Sequence, residues 1–329
     1  MTIKIAPIPD LPDELLAAAQ AGRLVPFVGA GVSRIAGCPG WDALANASLQ
    51  QMVDAGRLSY AELEQCQSIT APRIKLSMAE LIARKHGLSI DYKKVLERPG
   101  WQMNSKGLQC YGALGQLGQR FVTTNYDGWL DYEYPTVPGA PVPTGPSSTP
   151  SYATRLAYYD RSDFTAARFR EPNTVIHLHG SLQNPGSMIL TMRDYISHYA
   201  NDRGGGGDEE NQVLTFLEHL FEDKTVLFVG YGLEDLDILE HVVQKARGMA
   251  RGRSLVRHYM LQPYFSYEQG LAENMERYFR EECGIALLPY QRDSKNYDQL
   301  IDVLTDYARR IPAADPMVLQ DLREMEGMI

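Results

Sequence analysis

The chain has 329 residues, of which 44% are hydrophobic and 22% charged, as in an ordinary globular protein. Its formal net charge of -9 argues against direct nucleic-acid binding, because a protein that neutralises phosphates needs a basic face. A chain of this length buries enough surface to hold a core without disulfides or a structural metal.

Cysteine usage and hydropathy predict a cytoplasmic protein. The cysteines are scattered and form no Cys-x-x-Cys pair, so we expect reduced thiols and no metal site. The N-terminus lacks the apolar core of a signal peptide. Since no run of about 18 apolar residues occurs, we expect no membrane span.

The first third of the chain predicts mostly helices around one buried strand. Helical patterns cover Pro12–Arg23, Trp41–Ala55 and Tyr60–Lys85. An apolar run at 24–28, bounded by glycine, is typical of a buried strand. Phe121–Thr124 then predicts a second short strand.

The rest of the chain alternates between strands and helices. Residues 135–150 are too rich in proline, glycine and serine for regular structure, and we interpret them as an excursion from a helical insert. Ile189–Tyr195 reads as a strand that continues into a helix. Other strands are predicted at 175–178, 225–229, 255–261 and 285–289, and other helices at 236–247, 267–279 and 297–309. This alternation indicates an α/β protein with a doubly wound parallel sheet.

The first strand ends in a glycine-rich turn, Gly29-Ala30-Gly31-Val32-Ser33. Glycine lets bare backbone approach a ligand closely, and the N–H groups at the start of the following helix favour a phosphate. The turn therefore suggests a dinucleotide, although a strand–turn–helix without a ligand is the alternative.

Polar residues and glycines also follow three later strands, at the edge where open parallel sheets bind ligands. Asn125 and Asp127 could cap a helix, or could orient a water and bind an amide. Gly230-Tyr231-Gly232 is either a plain turn or a close approach to a second part of a nucleotide. Together with the first motif, these strand ends predict one crevice.

Two histidines alternate along the strand at 175–178. These are His177 and His179. His179 stands at the strand end and is the candidate general base, since an imidazole titrates near neutral pH. For His177 we expect a structural role.

These motifs resemble the sirtuin family. GAGVSRIAGCPGW resembles the family's glycine motif, TTNYD its strand-end motif, LHGSL the segment of its catalytic histidine, and FVGYG its late glycine motif. The resemblance implies a Rossmann-like sheet with a small, mainly helical insert and NAD in the crevice. It implies a single domain over residues 1–329, and we place the helical insertions at about 41–115 and 131–172.

The resemblance also implies a role for each candidate residue. The pyrophosphate is expected at Gly29, Ala30, Gly31 and Ser33. Asp127 is expected to bind the nicotinamide carboxamide, Asn125 to position water or a ribose hydroxyl, and His179 to accept the proton. The ribose contact is expected at Gly230, Tyr231 and Gly232.

Two departures from the family pattern direct the functional hypothesis. Gly40-Trp41 stand where deacylating sirtuins carry Phe-Arg, and the cysteines cannot form the family's zinc ribbon. The segment at 38–44, Tyr126 and LTMRDY resemble a bacterial branch that contains NAD hydrolases of anti-phage defence. Members of that branch often carry serine where Gly232 stands here.

We therefore expect hydrolysis of NAD to nicotinamide and ADP-ribose, as a regulated NAD-depleting effector in anti-phage defence. The alternatives are an NAD-dependent protein deacylase and a non-catalytic subunit that binds NAD or ADP-ribose. We expect a homo-oligomer, and by analogy with stand-alone members a HerA-type ATPase is a candidate partner. Residues 311–329 could form a docking helix, and Gly204–Gly207 either a surface loop or a lid.

Overall fold

The computed structural model describes residues 3–96, 103–134, 152–199, 211–232 and 258–311. These residues form a sheet of seven parallel strands in the order β3-β4-β2-β1-β5-β6-β7. The strands are β1 (Leu24–Val28), β2 (Arg120–Thr123), β3 (Leu156–Tyr158), β4 (Thr174–His177), β5 (Thr225–Val229), β6 (His258–Tyr264) and β7 (Ile285–Gln291).

Helices cover both faces of the sheet. They are α1 (Asp13–Gln20), α2 (Ala30–Ile35), α3 (Trp41–Asp54), α4 (Tyr60–Gln67), α5 (Pro72–Lys85), α6 (Tyr92–Leu96), α7 (Ser105–Leu117), α8 (Ala166–Arg170), α9 (Met192–Tyr199), α10 (Gln212–Asp223), α11 (Gln269–Tyr278) and α12 (Gln299–Arg310). This arrangement confirms the predicted Rossmann-like, doubly wound α/β fold.

The side chains of β1 explain why the sheet is covered on both sides. All five residues of this strand are buried. Leu24 and Val28 pack into a core with α1, α2, α7 and α12, whereas Val25 and Phe27 pack into a second core with α8 and α10. Successive residues of a strand face opposite ways, so a continuous apolar run requires a helical layer on each face.

The helical insert α3–α6 has an apolar core of its own. Leu49, Met52 and Leu76 are each no more than 2% exposed. The same cluster includes Tyr126, which follows β2, and Leu190, which precedes α9. The insert therefore packs over the ends of β2 and β4, beside the predicted crevice.

Three details of the predicted elements differ in the structure. The helical stretch at Tyr60–Lys85 is two helices, because Pro72 lacks an N–H and starts a new helix in its first turn. The predicted strand at the start of Ile189–Tyr195 is wrong, and only the helix α9 forms there. The 131–172 stretch, expected to be helical, contributes the edge strand β3.

Some predictions lie wholly or partly outside the described residues. These are the helix at 236–247, the start of the strand at 255–261, the irregular stretch at 135–150, the Gly204–Gly207 loop and the docking helix beyond Ile311. Across the five described ranges, no helix combines the length and apolar character needed to cross a membrane.

Candidate functional site

The carboxyl ends of β4, β2, β1 and β5 lie side by side and bring the predicted motifs together. β1 pairs with β2 on one side and with β5 on the other. The chain therefore extends the sheet from β1 first in one direction and later, through β5, in the opposite direction. Ligands of doubly wound sheets bind at such a switch point.

A cavity lies at this edge, and its volume is about 420 Å³ when the open space at its mouth is included. Its wall combines residues of the glycine turn, the helical insert and the loop after β2. The lining residues are Ala30, Ser33, Cys38, Pro39, Gly40, Trp41, Leu44, Leu96, Thr124, Asn125, Tyr126 and Asp127.

The carboxylate of Asp127 is held in the cavity wall by several donors. Ser33 Oγ donates to its Oδ2 over 2.6 Å, and the N–H of Trp129 donates to Oδ1 over 3.2 Å. Burial raises the pKa of Asp127, while the hydrogen bonds from Ser33 and Trp129 act in the opposite direction. The result is a buried, oriented acceptor suited to an amide N–H.

Asn125 connects the loop after β2 to the end of β1. Its side-chain Nδ2 donates to the carbonyl of Gly29 over 3.1 Å. Its backbone N–H donates to Thr123 Oγ1 over 3.0 Å, and that hydroxyl donates to Val28 O over 2.8 Å. Asn125 is therefore fixed at the cavity wall through both its backbone and its side chain.

His179 lies close to this edge but does not line the cavity. It is 1% exposed, and its Nε2 is 2.8 Å from the hydroxyl of Tyr199 on α9. Tyr195 and His198 lie with ring centroids 6.0 and 6.2 Å from its ring. No partner for its Nδ1 is found among the described residues. Burial, followed by the charges of His198 and Arg73, lowers the pKa of His179 well below its ordinary value, so this ring is neutral at pH 7.

His177 is completely buried beneath the loop that carries Asn125 and Asp127. Its Nε2 is 2.6 Å from Asp131 Oδ1, and its Nδ1 is 3.1 Å from the carbonyl oxygen of Asn125. Burial opposes protonation, but the charge and hydrogen bond of Asp131 and the Asn125 carbonyl together raise the pKa of His177.

The glycines of the first motif contact another loop of the protein. A Cβ on Gly29 would lie 2.7 Å from Gly230 O, and one on Gly31 would lie 2.8 Å from the same atom. The N–H of Gly29 donates to Val229 O over 2.9 Å, and that of Gly31 to Gly230 O over 2.8 Å. The close approach predicted toward a ligand is thus an approach between the ends of β1 and β5.

Tyr231 and Gly232 also stand apart from the cavity. Tyr231 is 4% exposed and packs edge-on against Phe27 at a ring-centroid distance of 5.5 Å. Its carbonyl accepts from Gln262 Nε2 over 3.1 Å. Gly232 is exposed.

Sequence reasoning missed several residues of the site. Tyr111 of α7 is 1% exposed and donates to Asp127 Oδ1 over 3.4 Å, but in the sequence it looks like any helical core residue. The thiol of Cys38 lies 3.9 Å from Asp127 Oδ2, and burial and this carboxylate raise its pKa. Within the described ranges, no three or more His, Cys, Asp or Glu residues cluster in a way that could hold a metal ion.

A doubly wound parallel sheet with a cavity at its switch point defines a nucleotide-binding class of α/β protein. The family model of the SIR2-like domain matches residues 119–288, slightly more than half of the 329 residues. The chain belongs to this family, which confirms the sirtuin-like resemblance and supports an NAD-dependent activity of the sirtuin type. No curated protein matches the chain.

The matched region includes three of the four motifs. Asn125, Asp127, His179 and Gly230 lie inside residues 119–288, whereas the glycine turn after β1 precedes them. The pairing of β1 between β2 and β5 joins this turn to the other motifs.

Proposed function

We propose that the protein hydrolyses NAD to nicotinamide and ADP-ribose. The observation that carries the proposal is the buried Asp127 carboxylate, oriented by Ser33 Oγ over 2.6 Å in a cavity that Asn125 also lines. This arrangement provides an amide acceptor beside a second polar group in a family that uses NAD.

In the proposed reaction, Asp127 accepts a hydrogen bond from the nicotinamide carboxamide. The bond between the nicotinamide nitrogen and ribose C1′ breaks, and its electron pair stays on nicotinamide. Asn125 positions water, or a ribose hydroxyl that orients it, and the water oxygen bonds to C1′. The proton released from water passes to His179 and then to solvent. A positioned general base contributes about 10²–10⁴ in rate.

The protonation state of His179 fits this role, and the proposal requires that NAD binding bring its buried ring within reach of the attacking water. Its lowered pKa keeps the ring neutral, so one nitrogen carries a lone pair. We assign the N–H to Nε2, which then donates to the Tyr199 hydroxyl 2.8 Å away. Nδ1, for which the described residues offer no partner, is then the proton acceptor.

The remaining parts of NAD are assigned to the glycine motifs. The pyrophosphate is assigned to the Gly29–Ser33 turn. Since Gly29 and Gly31 already donate to β5 and its loop, Ala30 is the residue of that turn whose N–H would contact the phosphate. The ribose stays assigned to the backbone of Gly230, Tyr231 and Gly232, which lie apart from the cavity and adjoin the Gly29–Ser33 turn through the hydrogen bond from Gly31 N–H to Gly230 O.

The cellular role that we propose is that of a regulated NAD-depleting effector in anti-phage defence. It rests on the resemblance of the 38–44 segment, Tyr126 and LTMRDY to a defence branch. An NAD hydrolase without control would harm its own cell, so we propose that activity depends on a homo-oligomer and on a HerA-type ATPase partner. Cellular NAD measured after phage infection, with and without such a partner, tests this role.

The test of the activity is nicotinamide release from NAD by the purified chain, with and without an acetylated peptide. Release without peptide supports the proposal. Release that requires peptide supports a deacylase, and NAD binding without release supports a sensor or scaffold. His179→Ala is the negative control, and Gly270→Ala is the matched surface control because a Cβ there meets nothing within 4 Å.

A further inference from the structure

The loop that follows β2 carries both Asn125 and Asp127 and ends in a short 3-10 turn at Trp129–Asp131. His177 lies beneath this loop, because it pairs in register with Thr123 at the end of β2. Its ring contacts both ends of the loop, reaching Asn125 O at 3.1 Å and Asp131 Oδ1 at 2.6 Å.

The chemistry of the two partners determines how the ring is used. The Asn125 carbonyl only accepts hydrogen bonds, so Nδ1 of His177 must carry a hydrogen and donate to it. On the other side, one proton lies between Nε2 and the Asp131 carboxylate. Whichever of the two holds it, the ring connects the start of the loop to its end.

We propose that His177 and Asp131 are positioning residues that brace the Thr124–Asp131 loop and thereby hold Asn125 in place for NAD cleavage. The residue expected from its pattern to be merely structural thus acts on the site through the Asn125 backbone. This inference rests on the proposed function for its effect on turnover, while the brace itself is a property of the fold.

Asp131 is held in turn by a second neighbour. The N–H of Arg155 donates to Asp131 O over 2.7 Å, and Arg155 Nη1 donates to Leu130 O over 2.9 Å. The far end of the brace is therefore anchored to the segment before β3.

Two substitutions of His177 separate its two contacts. The amide of asparagine reaches the position of Nδ1, so His177→Asn keeps a donor toward Asn125 O and loses the contact with Asp131. The amide of glutamine reaches the position of Nε2, so His177→Gln keeps the contact with Asp131 and loses the one with Asn125. Each variant loses one hydrogen bond, which makes them matched controls for stability.

The experiment compares both variants in backbone hydrogen exchange over residues 124–131 and in nicotinamide release. We expect His177→Gln to exchange faster in this loop and to lose kcat by up to about 100-fold, with KM nearly unchanged. We expect His177→Asn, which loses only the contact with Asp131, to lose less kcat than His177→Gln. Asp131→Asn, which can still accept from Nε2, should lose less kcat than Asp131→Ala.

Equal kcat and equal exchange in the asparagine and glutamine variants would overturn the proposal, as would a fall in kcat that only tracks melting temperature. If the wild-type protein releases no nicotinamide, the proposed function fails on that measurement alone. The exchange data then still decide whether His177 braces the loop.

Discussion

The backbone N–H of Gly31 donates to the carbonyl of Gly230 over 2.8 Å. This bond joins the turn after β1 to the turn after β5. A side chain at Gly31 would lie 2.8 Å from that oxygen and 2.9 Å from Gly230 Cα. The floor of the crevice is therefore built by two protein backbones in contact, and glycine is required there before any ligand binds.

Gly31→Ala and Gly230→Ala are each expected to destabilise the fold by about 1–3 kcal/mol. Gly230 has a φ of 64°, and its Cβ would lie 2.7 Å from Val32 N, so both backbone strain and a clash contribute. Denaturant unfolding of the purified variants measures the loss. Gly270→Ala in α11 is the control and should leave stability unchanged or slightly raised. A Gly31→Ala protein as stable as wild type would contradict the contact.

Ser33→Ala is expected to weaken NAD binding more at low pH than at high pH. The Ser33 hydrogen bond lowers the pKa of Asp127, which burial has already raised. Without that bond the carboxyl takes up a proton at a higher pH, and the protonated form is a poorer acceptor for the carboxamide. The variant should also lose about 1–3 kcal/mol of stability.

Calorimetric Kd values for NAD across the pH range test the role of Ser33. Ser68→Ala is the matched control, since its exposed Oγ donates only to Gln65 O over 2.7 Å. If the Kd for NAD changed with pH in the same way in wild type and in Ser33→Ala, the assignment of Asp127 would be contradicted.

His179→Ala is expected to lower kcat for NAD cleavage by about 10²–10⁴. Burial lowers the pKa of His179 well below the ordinary histidine value, so the base stays unprotonated through the neutral range. The wild-type rate should therefore be flat near neutral pH and should fall only below about 6.5. A rate that halves close to the ordinary histidine pKa would contradict a buried base.

His198 is expected to make the protein less stable in acid. Burial, and then the charge of Arg161, lowers its pKa to about 4. As pH falls from about 6.5 toward 4, the unfolded chain binds a proton that the folded chain does not, so the free energy of unfolding decreases by roughly 1–3 kcal/mol. The raised pKa of His177 works the other way, since its contribution is complete below about 6.5 and is lost as pH rises through its raised value.

Thermal melting measured between about pH 7 and about pH 4, the range over which histidine titrates, tests this effect. His198→Asn cannot titrate and should lose less stability over that range than wild type. His219→Asn is the control, because His219 is exposed on α10. If His198→Asn and wild type lose stability equally in acid, another group is responsible.

Features with a local cause could be predicted from the sequence. The apolar runs at 24–28 and 225–229 are buried strands, because an uninterrupted apolar run needs cover on both faces. The glycines after them predicted a close approach to a ligand, whereas the structure shows the ends of the two strands in close contact with each other.

Features that depend on distant partners could not be predicted. Nothing local pairs His177 with Asp131, which lies 46 residues away. The burial of His179 under Tyr199 of α9 cannot be recognised from the residues next to His179 in the sequence. The strand β3 is three residues long, and its first residue, Leu156, is exposed, so it lacks both an apolar run and a clear alternation.

The position of β1 has a consequence for truncated versions of the chain. The family match begins at residue 119, but β1 lies between β2 and β5 in the middle of the sheet. A fragment cut at that boundary would lose the central strand and leave two unpaired inner edges, with the apolar surfaces of β2 and β5 open to water. The smallest piece of this chain that folds must therefore include the segment before the family match.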